Sequence, residues 1–295
     1  MPELIQIKTR EKPDWFKIKL PTGRKYNKIK ALVKTNRLHT ICEEAKCPNL
    51  SECWSHGTAT FLILGDICTR YCSYCNVKTG KPEKVNINEP KKVADAVKKL
   101  DLKYVVITSV TRDDLEDGGA SIYTETVKEI KTISNCKVEL LIPDFLNNEK
   151  LNIDALKTVI DVKPDVLGHN METVKRVFKK VRPKGNYYLS LELLKKIKEI
   201  NPKMKTKSGL LIGFDETIAE IKQTMEDLRN NNVDFLTLGQ YLQPSQKHVK
   251  IEKYYTPKEF EKLKKIGLEM GFKHIEAGPL VRSSYRADKL NNIIN

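Results

Sequence analysis

The stretch TFLILGDICTRYCSYC, residues 60–75, runs an apolar segment straight into three cysteines spaced C-x3-C-x2-C. The apolar part is short, rich in β-formers and closed by Gly65 and Asp66, which reads as a buried strand that delivers the cysteines at one end. A tetrahedral zinc, or a cubic iron–sulfur cluster held entirely by protein, takes four ligands. Only three are offered here. A second incomplete set lies just upstream in CEEAKCPNLSEC (42–53), spaced C-x4-C-x5-C. Two sets of three, so close together, suggest that the missing ligands belong to the chemistry.

Beyond residue 60 the same strand pattern recurs in YVVITSV (104–110), VELLIPD (138–144), DVLGHN (165–170), KSGLLIGF (207–214) and FLTLGQYL (235–242). Amphipathic helical patterns separate these runs at 89–101, 121–134, 149–161, 171–180, 188–200 and 217–231. A further helix over 256–270 opens with Thr256 as N-cap and Pro257 in the first turn, and Gly271 marks its end. Six βα units with short connections imply a parallel sheet. They are too few for a full eight-stranded barrel, so the expected fold is α/β, a partial (βα)6 parallel-stranded barrel, with a doubly wound sheet as the alternative. In either, functional residues gather beyond the C-terminal ends of the strands. CTRYCSYC, TRDDLEDGG, PD, HN and DET all fall there. The expected division is an N-terminal extension over 1–59 packed across the barrel mouth, a barrel core over 60–271 and a C-terminal segment over 272–295.

With 295 residues and 40% hydrophobic content the chain suits one large domain or two modest ones. No run approaches the roughly 18 apolar residues that span a bilayer, and MPELIQIKTREKPDWFKIKL lacks the apolar core of a signal peptide. A cytoplasmic protein without a membrane partner is expected. There, clustered cysteines favour metal binding or catalysis over disulfides. The formal charge of +15 reads mainly as solvated helix faces such as KKVADAVKKL. An acidic partner would also suit it, and no nucleic-acid motif with stacking aromatics accompanies it.

Zinc fits the cysteines poorly. Only Cys72 and Cys75 form a C-x2-C pair, although His56 could complete a site near Cys53. An iron–sulfur cluster on three thiolates explains more, because one iron stays open for a substrate or cofactor. The C-x3-C-x2-C spacing after a first barrel strand, with Tyr74 before the last cysteine, resembles the signature of the radical S-adenosylmethionine (SAM) superfamily. In that superfamily the open iron chelates SAM, and one electron cleaves it to a 5′-deoxyadenosyl radical. CEEAKCPNLSECW, GDICTRYCSYCNV, TSVTRDDLEDGGA, LIPDF, TKSGLLIGFDET, LTLGQYLQPS and GPLVRSSYRAD together resemble the lipoyl synthase family over nearly the whole chain.

That resemblance implies two [4Fe–4S] clusters and SAM, with sulfur inserted at carbons 6 and 8 of an octanoyl chain on a carrier lysine. Cys68, Cys72 and Cys75 would hold the SAM cluster. Cys42, Cys47 and Cys53 would hold an auxiliary cluster consumed as sulfur source, with Ser284 of RSSY as its fourth ligand and a catalytic residue. It implies as partners octanoylated lipoyl carrier domains or glycine cleavage H protein, and an electron donor such as flavodoxin or ferredoxin. GLLIGFDE, with Gly209, Gly213 and Glu216, matches the G-x-I-x-G-x-x-E pattern that borders the SAM adenine. Tyr74, Ser109, Asn170 and Lys207 are further cofactor-binding candidates, the last three read as strand-end residues facing the mouth. Arg112, Asp113 and Asp114 suit a substrate-side role and a structural one equally; His169 and Cys136 read as packed residues. The chain departs from the family pattern at Ile122, where histidine is usual, and at GFDET, where Gly-x-Gly-Glu-Thr is common. The rival readings are a two-cluster methylthiotransferase and, in a different class, a ferredoxin-like electron carrier.

Overall fold

The structure, a computed structural model, describes residues 12–17, 23–56, 58–147, 149–290 and 293. Parts of the expected terminal segments, at 1–11, 18–22, 57, 291–292 and 294–295, lie outside the described residues. An eight-stranded sheet forms the centre. Its order is β1 (His39–Thr40), β2 (Thr60–Ile63), β3 (Tyr104–Ser109), β4 (Lys137–Leu141), β5 (Val166–Gly168), β6 (Thr206–Ile212), β7 (Phe235–Gln240) and β8 (His274–Gly278). β1 is antiparallel to β2, and every other pairing is parallel. Each parallel strand lies beside its predecessor in the chain, as in a barrel. A doubly wound sheet would reverse its order partway. With β1 and β8 at its two ends, the sheet is an α/β partial barrel.

Among the described residues the helices that accompany the strands include α1 (Arg24–Thr35), α2 (Ile41–Glu44), α3 (Leu50–Ser55), α4 (Glu89–Lys99), α5 (Ala120–Ile133), α6 (Ile153–Asp161), α7 (Tyr187–Ile200), α8 (Ile218–Asn230) and α9 (Pro257–Glu269). The expected caps form. Thr256 makes a capping box with Glu259 ahead of α9, and Gly271 takes φ 91° just beyond it, a conformation open to glycine at little cost.

Two expectations change. Residues 171–180 do not form one helix: Glu172 bridges to Leu210 of β6, and only Lys175–Val177 and Phe178–Val181 coil. That pairing draws the chain along β6 before it can turn. Residues 272–295 also contribute a strand, since β8 pairs with β7 from Phe235↔His274 onward. Its sequence, HIEAG, carries too short an apolar signal to announce a strand. The sheet therefore holds seven parallel strands over six crossovers.

Strand alternation separates two faces. Val105, Ile107, Val138 and Leu140 join the main core with helix residues such as Val93 and Val127. Tyr104, Val106, Val166 and Phe235 face the other way and pack with Ala287 and Leu290 of the last described turn. The chain's end thus fills the concave face. Gly239 of β7 makes room for its approach, because a Cβ there would collide with the Val281 carbonyl.

Candidate active site

Cys42 ends up on α2, Cys47 in the following turn and Cys53 on α3. Thr40 caps α2 by accepting from Glu43 N–H. Asn49 Nδ2 donates to Leu280 O at 2.5 Å and Arg286 donates to Glu52 Oε1 at 2.7 Å, so the C-terminal segment is drawn over this triad. One cavity results, lined by Cys42, Cys47, Cys53, Arg282, Ser284 and Tyr285 with Asn49, Leu50, Thr58 and Thr60. Ser284 and the three upstream cysteines, more than 230 positions apart, share it. His56 does not line it; its Nδ1 lies 2.8 Å from Glu52 O.

The second triad sits just past β2. The Cys68 sulfur accepts from the N–H groups of Arg70 and Thr111, each at 3.4 Å. Arg70, inside the cysteine loop, is anchored in two directions: to Asp113 at 2.6 Å and to buried Asp144 at 2.7 Å. Arg182 approaches the same Asp144 at 3.6 Å. Burial alone would raise the Asp144 pKa, yet Arg70 and Arg182 hold it below the usual carboxylate range. The polar residues after β3 serve the same scaffold, with Arg112 bound to Asp114 at 2.8 Å and to Leu64 O at 3.3 Å.

Burial pushes every upstream thiol up, Cys42 to about 12. Cys75 also rises to about 12 and Cys72 rises less, Arg182 opposing its burial. Buried thiols like these are inert until a metal displaces their protons. Among the described residues, the group of His, Cys, Asp and Glu whose ligand atoms all lie within 4.8 Å of one another is His39, Glu44 and Asp66; neither cysteine triad is that tight. Thiolates on one zinc stand about 3.8 Å apart, given Zn–S bonds near 2.3 Å. The wider spread and soft donors fit an iron–sulfur cluster better than a single ion. The His39 group is itself a set of ion pairs, His39–Glu44 at 3.4 Å and Lys78–Asp66 at 2.6 Å. With Asn76 Nδ2 bound to Glu44 O at 2.8 Å, it straps one cysteine segment to the other.

Between the triads lie residues that sequence reasoning passed over. Glu172 is half-buried, and burial raises its pKa against Arg182, Asn170 and Tyr74 beside it. Arg182 faces Cys72 and Tyr74 as well, and donates to Asn170 O at 3.0 Å. Arg282 lies within electrostatic reach of both Cys47 and Glu172, which links the two sites. The signal for Arg282 was present in RSSY, whereas Glu172 was hidden in a segment read as helix. Ser109 Oγ, at the C-terminal end of β3, is buried without a hydrogen-bond partner among the described residues. Such an orphaned hydroxyl at the C-terminal end of a strand fits a polar cofactor.

Lys207 is a correction. It starts β6 rather than ending it, and its ammonium is buried against Glu139 at 2.7 Å, below the mouth. Glu139 also accepts from Tyr104 OH at 2.6 Å. Gly213 and Glu216 form a closed turn: Glu216 takes the N–H groups of Gly213 and Phe214, at 2.5 and 2.7 Å. Gly213 has φ 123° and could carry no Cβ beside Gln240. His169 is packed, between Ile142 O at 3.0 Å and Ser190 Oγ at 3.1 Å, and Cys136 is buried away from both triads.

Residues 62–228 match the Radical SAM superfamily, and residues 4–47 match the N-terminal domain of lipoyl synthase of the Radical SAM family. Solved structures with the same fold include methylornithine synthase (TM-score 0.56, 12% identity, 85% of this chain and 76% of that one). HydG, a maturase of the [FeFe]-hydrogenase, is another (TM-score 0.54, 14% identity, 90% and 66%). The partial barrel and its cysteine loop therefore define a radical SAM enzyme, with SAM and an iron–sulfur cluster as its cofactors. The lipoyl synthase of Halalkalibacterium halodurans is 52% identical over 95% of this chain and 92% of its own length. That of Rubrobacter xylanophilus is 52% identical over 94% and 85%, and that of Staphylococcus haemolyticus 51% over 95% and 91%. The chain belongs to the lipoyl synthase family. No helix among the described residues is long and apolar enough to cross a membrane.

Proposed function

We propose that the enzyme inserts two sulfur atoms, at carbons 6 and 8, into an octanoyl chain held as a lysine amide on a lipoyl carrier domain or glycine cleavage H protein. Two [4Fe–4S] clusters serve it, one on Cys68, Cys72 and Cys75 and an auxiliary one on Cys42, Cys47, Cys53 and Ser284. When bound, SAM and its cluster supply the hydrogen-abstracting radical and the auxiliary cluster supplies the sulfur. The observation that carries this reading is the single cavity shared by Ser284 and the three upstream cysteines.

The chain's own residues hold and orient. Asn170, Glu172 and Ser109 offer hydrogen bonds to a polar cofactor, and Arg182 stands over Cys72 to receive an anionic group. Arg282 lines the upstream cavity and lies within electrostatic reach of Glu172, a cation available to both sites. Tyr74, raised well above its usual pKa by burial and by Glu172, stays neutral and keeps water off the cysteine loop. The +15 charge steers acidic carrier domains, and seven free cysteines suit a reducing cytoplasm.

Mass spectrometry of an octanoyl-lysine peptide after anaerobic incubation with SAM and dithionite tests the reaction. A gain of two sulfurs is expected for the dithiol, falling by two hydrogens when the dithiol is afterwards oxidised to the cyclic disulfide. Alanine at Cys42, Cys47 and Cys53 should leave uncoupled 5′-deoxyadenosine formation without thiolation, and alanine at Cys68, Cys72 and Cys75 should abolish SAM cleavage. Thiolation by the first variant would remove the auxiliary triad from the role of sulfur source.

A further inference from the structure

Ser73, between Cys72 and Cys75, is held from two sides. Its N–H donates to Val181 O at 3.0 Å and its hydroxyl to Lys180 O at 2.6 Å, while its carbonyl accepts from Val249 N–H at 2.9 Å. His248 Nε2 lies 3.0 Å from Cys75 O. Segments 178–185 and 247–250 therefore flank the cysteine loop. Both are rich in lysine: Lys179, Lys180 and Lys184 stand on one side, Lys247 and Lys250 on the other, all exposed. Lys184 Nζ stands 5.5 Å from the ring centre of Tyr71, which directly precedes Cys72 and is 57% exposed. Lys180 stands 3.9 Å from the Glu252 carboxylate. Lys179 turns instead to backbone, the Gly185 carbonyl at 2.8 Å.

We propose that this lysine collar around Tyr71 is the docking surface for an acidic one-electron carrier protein. The proposal rests on the assignment of Cys68, Cys72 and Cys75 to the SAM cluster. Charge complementarity names the partner: five exposed lysines lie on the two segments that flank the loop, and Lys180 meets Glu252 at 3.9 Å, a field that raises encounter rates with an acidic surface. The closed backbone decides between acidic partners. The hydrogen bonds of Ser73 and His248 tie the loop's backbone to both flanking segments, and an electron, unlike an acyl arm, needs no groove to pass. None of the collar residues lines the cavity of the upstream triad. Small, charge-steered contacts are what redox encounters use. The step is a single electron passing from carrier to cluster; the carrier is oxidised by one electron, and no bond to the protein forms or breaks.

The test compares Lys179→Glu/Lys184→Glu/Lys250→Glu with a control, Lys98→Glu/Lys99→Glu/Lys265→Glu, whose positions lie toward the C-terminal ends of α4 and α9, away from the mouth. Calorimetry with an acidic flavodoxin at low salt should show association weakened about tenfold or more in the first and unchanged in the second. SAM cleavage driven by reduced flavodoxin should fall in parallel, while dithionite-driven cleavage and iron content stay at the unaltered level. Unchanged affinity, or equal weakening in the control, would overturn the proposal. So would loss of iron or of dithionite-driven cleavage, which would make the collar part of the cluster's support. Dithionite-driven thiolation lost on a whole octanoylated carrier but kept on a short peptide would assign the collar to the acyl carrier instead. The cluster assignment fails separately, if Cys72→Ala retains full iron and dithionite-driven cleavage.

Discussion

Arg286 donates to Glu52 at 2.7 Å across 234 positions of chain, and Tyr285 OH reaches the same carboxylate oxygen at 3.2 Å. Glu52 precedes Cys53, and Arg286 follows Ser284 by two residues. The pair therefore sets where the serine stands above the cysteines. Arg286 is 39% exposed, so its contribution to global stability is about 1 kcal/mol or less. Arg286→Ala should leave the unfolding midpoint nearly unchanged but lower the iron retained by the upstream triad after desalting. Iron counting against the Cys68→Ala/Cys72→Ala/Cys75→Ala background isolates that triad, and undiminished iron there would refute the positioning role.

Ser284 is a weak ligand on the proposed reading. A hard alkoxide oxygen suits a soft iron–sulfide cluster less well than thiolate does, and a labile bond helps when an iron must be shed. Ser284→Cys should keep the auxiliary cluster and impair thiolation. Ser284→Ala should hold a more fragile cluster and lose most product, and Ser283→Ala should be mild. Iron content beside singly and doubly thiolated peptide separates the three. Full activity in Ser284→Ala would reopen the question of the fourth ligand.

Lys207 and Glu139 are 5% and 3% exposed, and removing one partner strands the other's charge. Lys207→Ala should cost about 3–5 kcal/mol of stability. Lys207→Met combined with Glu139→Gln should recover most of it, because neither replacement needs a counter-charge. Denaturant unfolding of both variants checks this. A single-variant loss under about 1 kcal/mol would mean that water reaches the pair.

His169 gives a pH dependence. Burial, with Arg182 beside it, lowers its pKa from 6.5 to about 4, against Asp144 and the Ile142 carbonyl; Arg70 adds to the lowering. The native ring stays neutral where the unfolded chain takes a proton, so stability falls as pH drops from 6.5 toward 4. The full loss is about 3 kcal/mol at most. His169→Gln should flatten that slope without altering the fall below pH 4, which paired carboxylates such as Asp144 govern. Parallel slopes for both proteins between pH 4 and 6.5 would show that the ring does not titrate this way.

Much of the barrel was legible because buried parallel strands are read from short local runs. All six expected strands exist, with Thr60–Ile63 and Phe235–Gln240 buried throughout. The cap at Thr256 was an equally local matter. Helix 171–180 failed where a local pattern met a distant competitor, the Leu210 edge that claims Glu172. Lys207 lies at the start of its strand in the sequence reading as in the structure, and was assigned to the wrong end of it; the length of the strand separates that end from the barrel mouth.

Cysteine spacing, strand pattern and the RSSY segment were written in the chain itself, since each is a run of neighbours whose chemistry follows from their order. They were enough to indicate the class of enzyme. Only the tertiary structure decided which groups meet: Ser284 with Cys42, Cys47 and Cys53 in one cavity, Arg282 between Cys47 and Glu172, and the lysines of two loops around Tyr71. Those meetings join residues far apart in sequence. They arise because β7 yields at Gly239 to let the C-terminal segment cross, and because the concave face of the sheet needs Ala287 and Leu290 to cover it. Burial of that apolar face, a property of the whole sheet, is what carries the serine to its place.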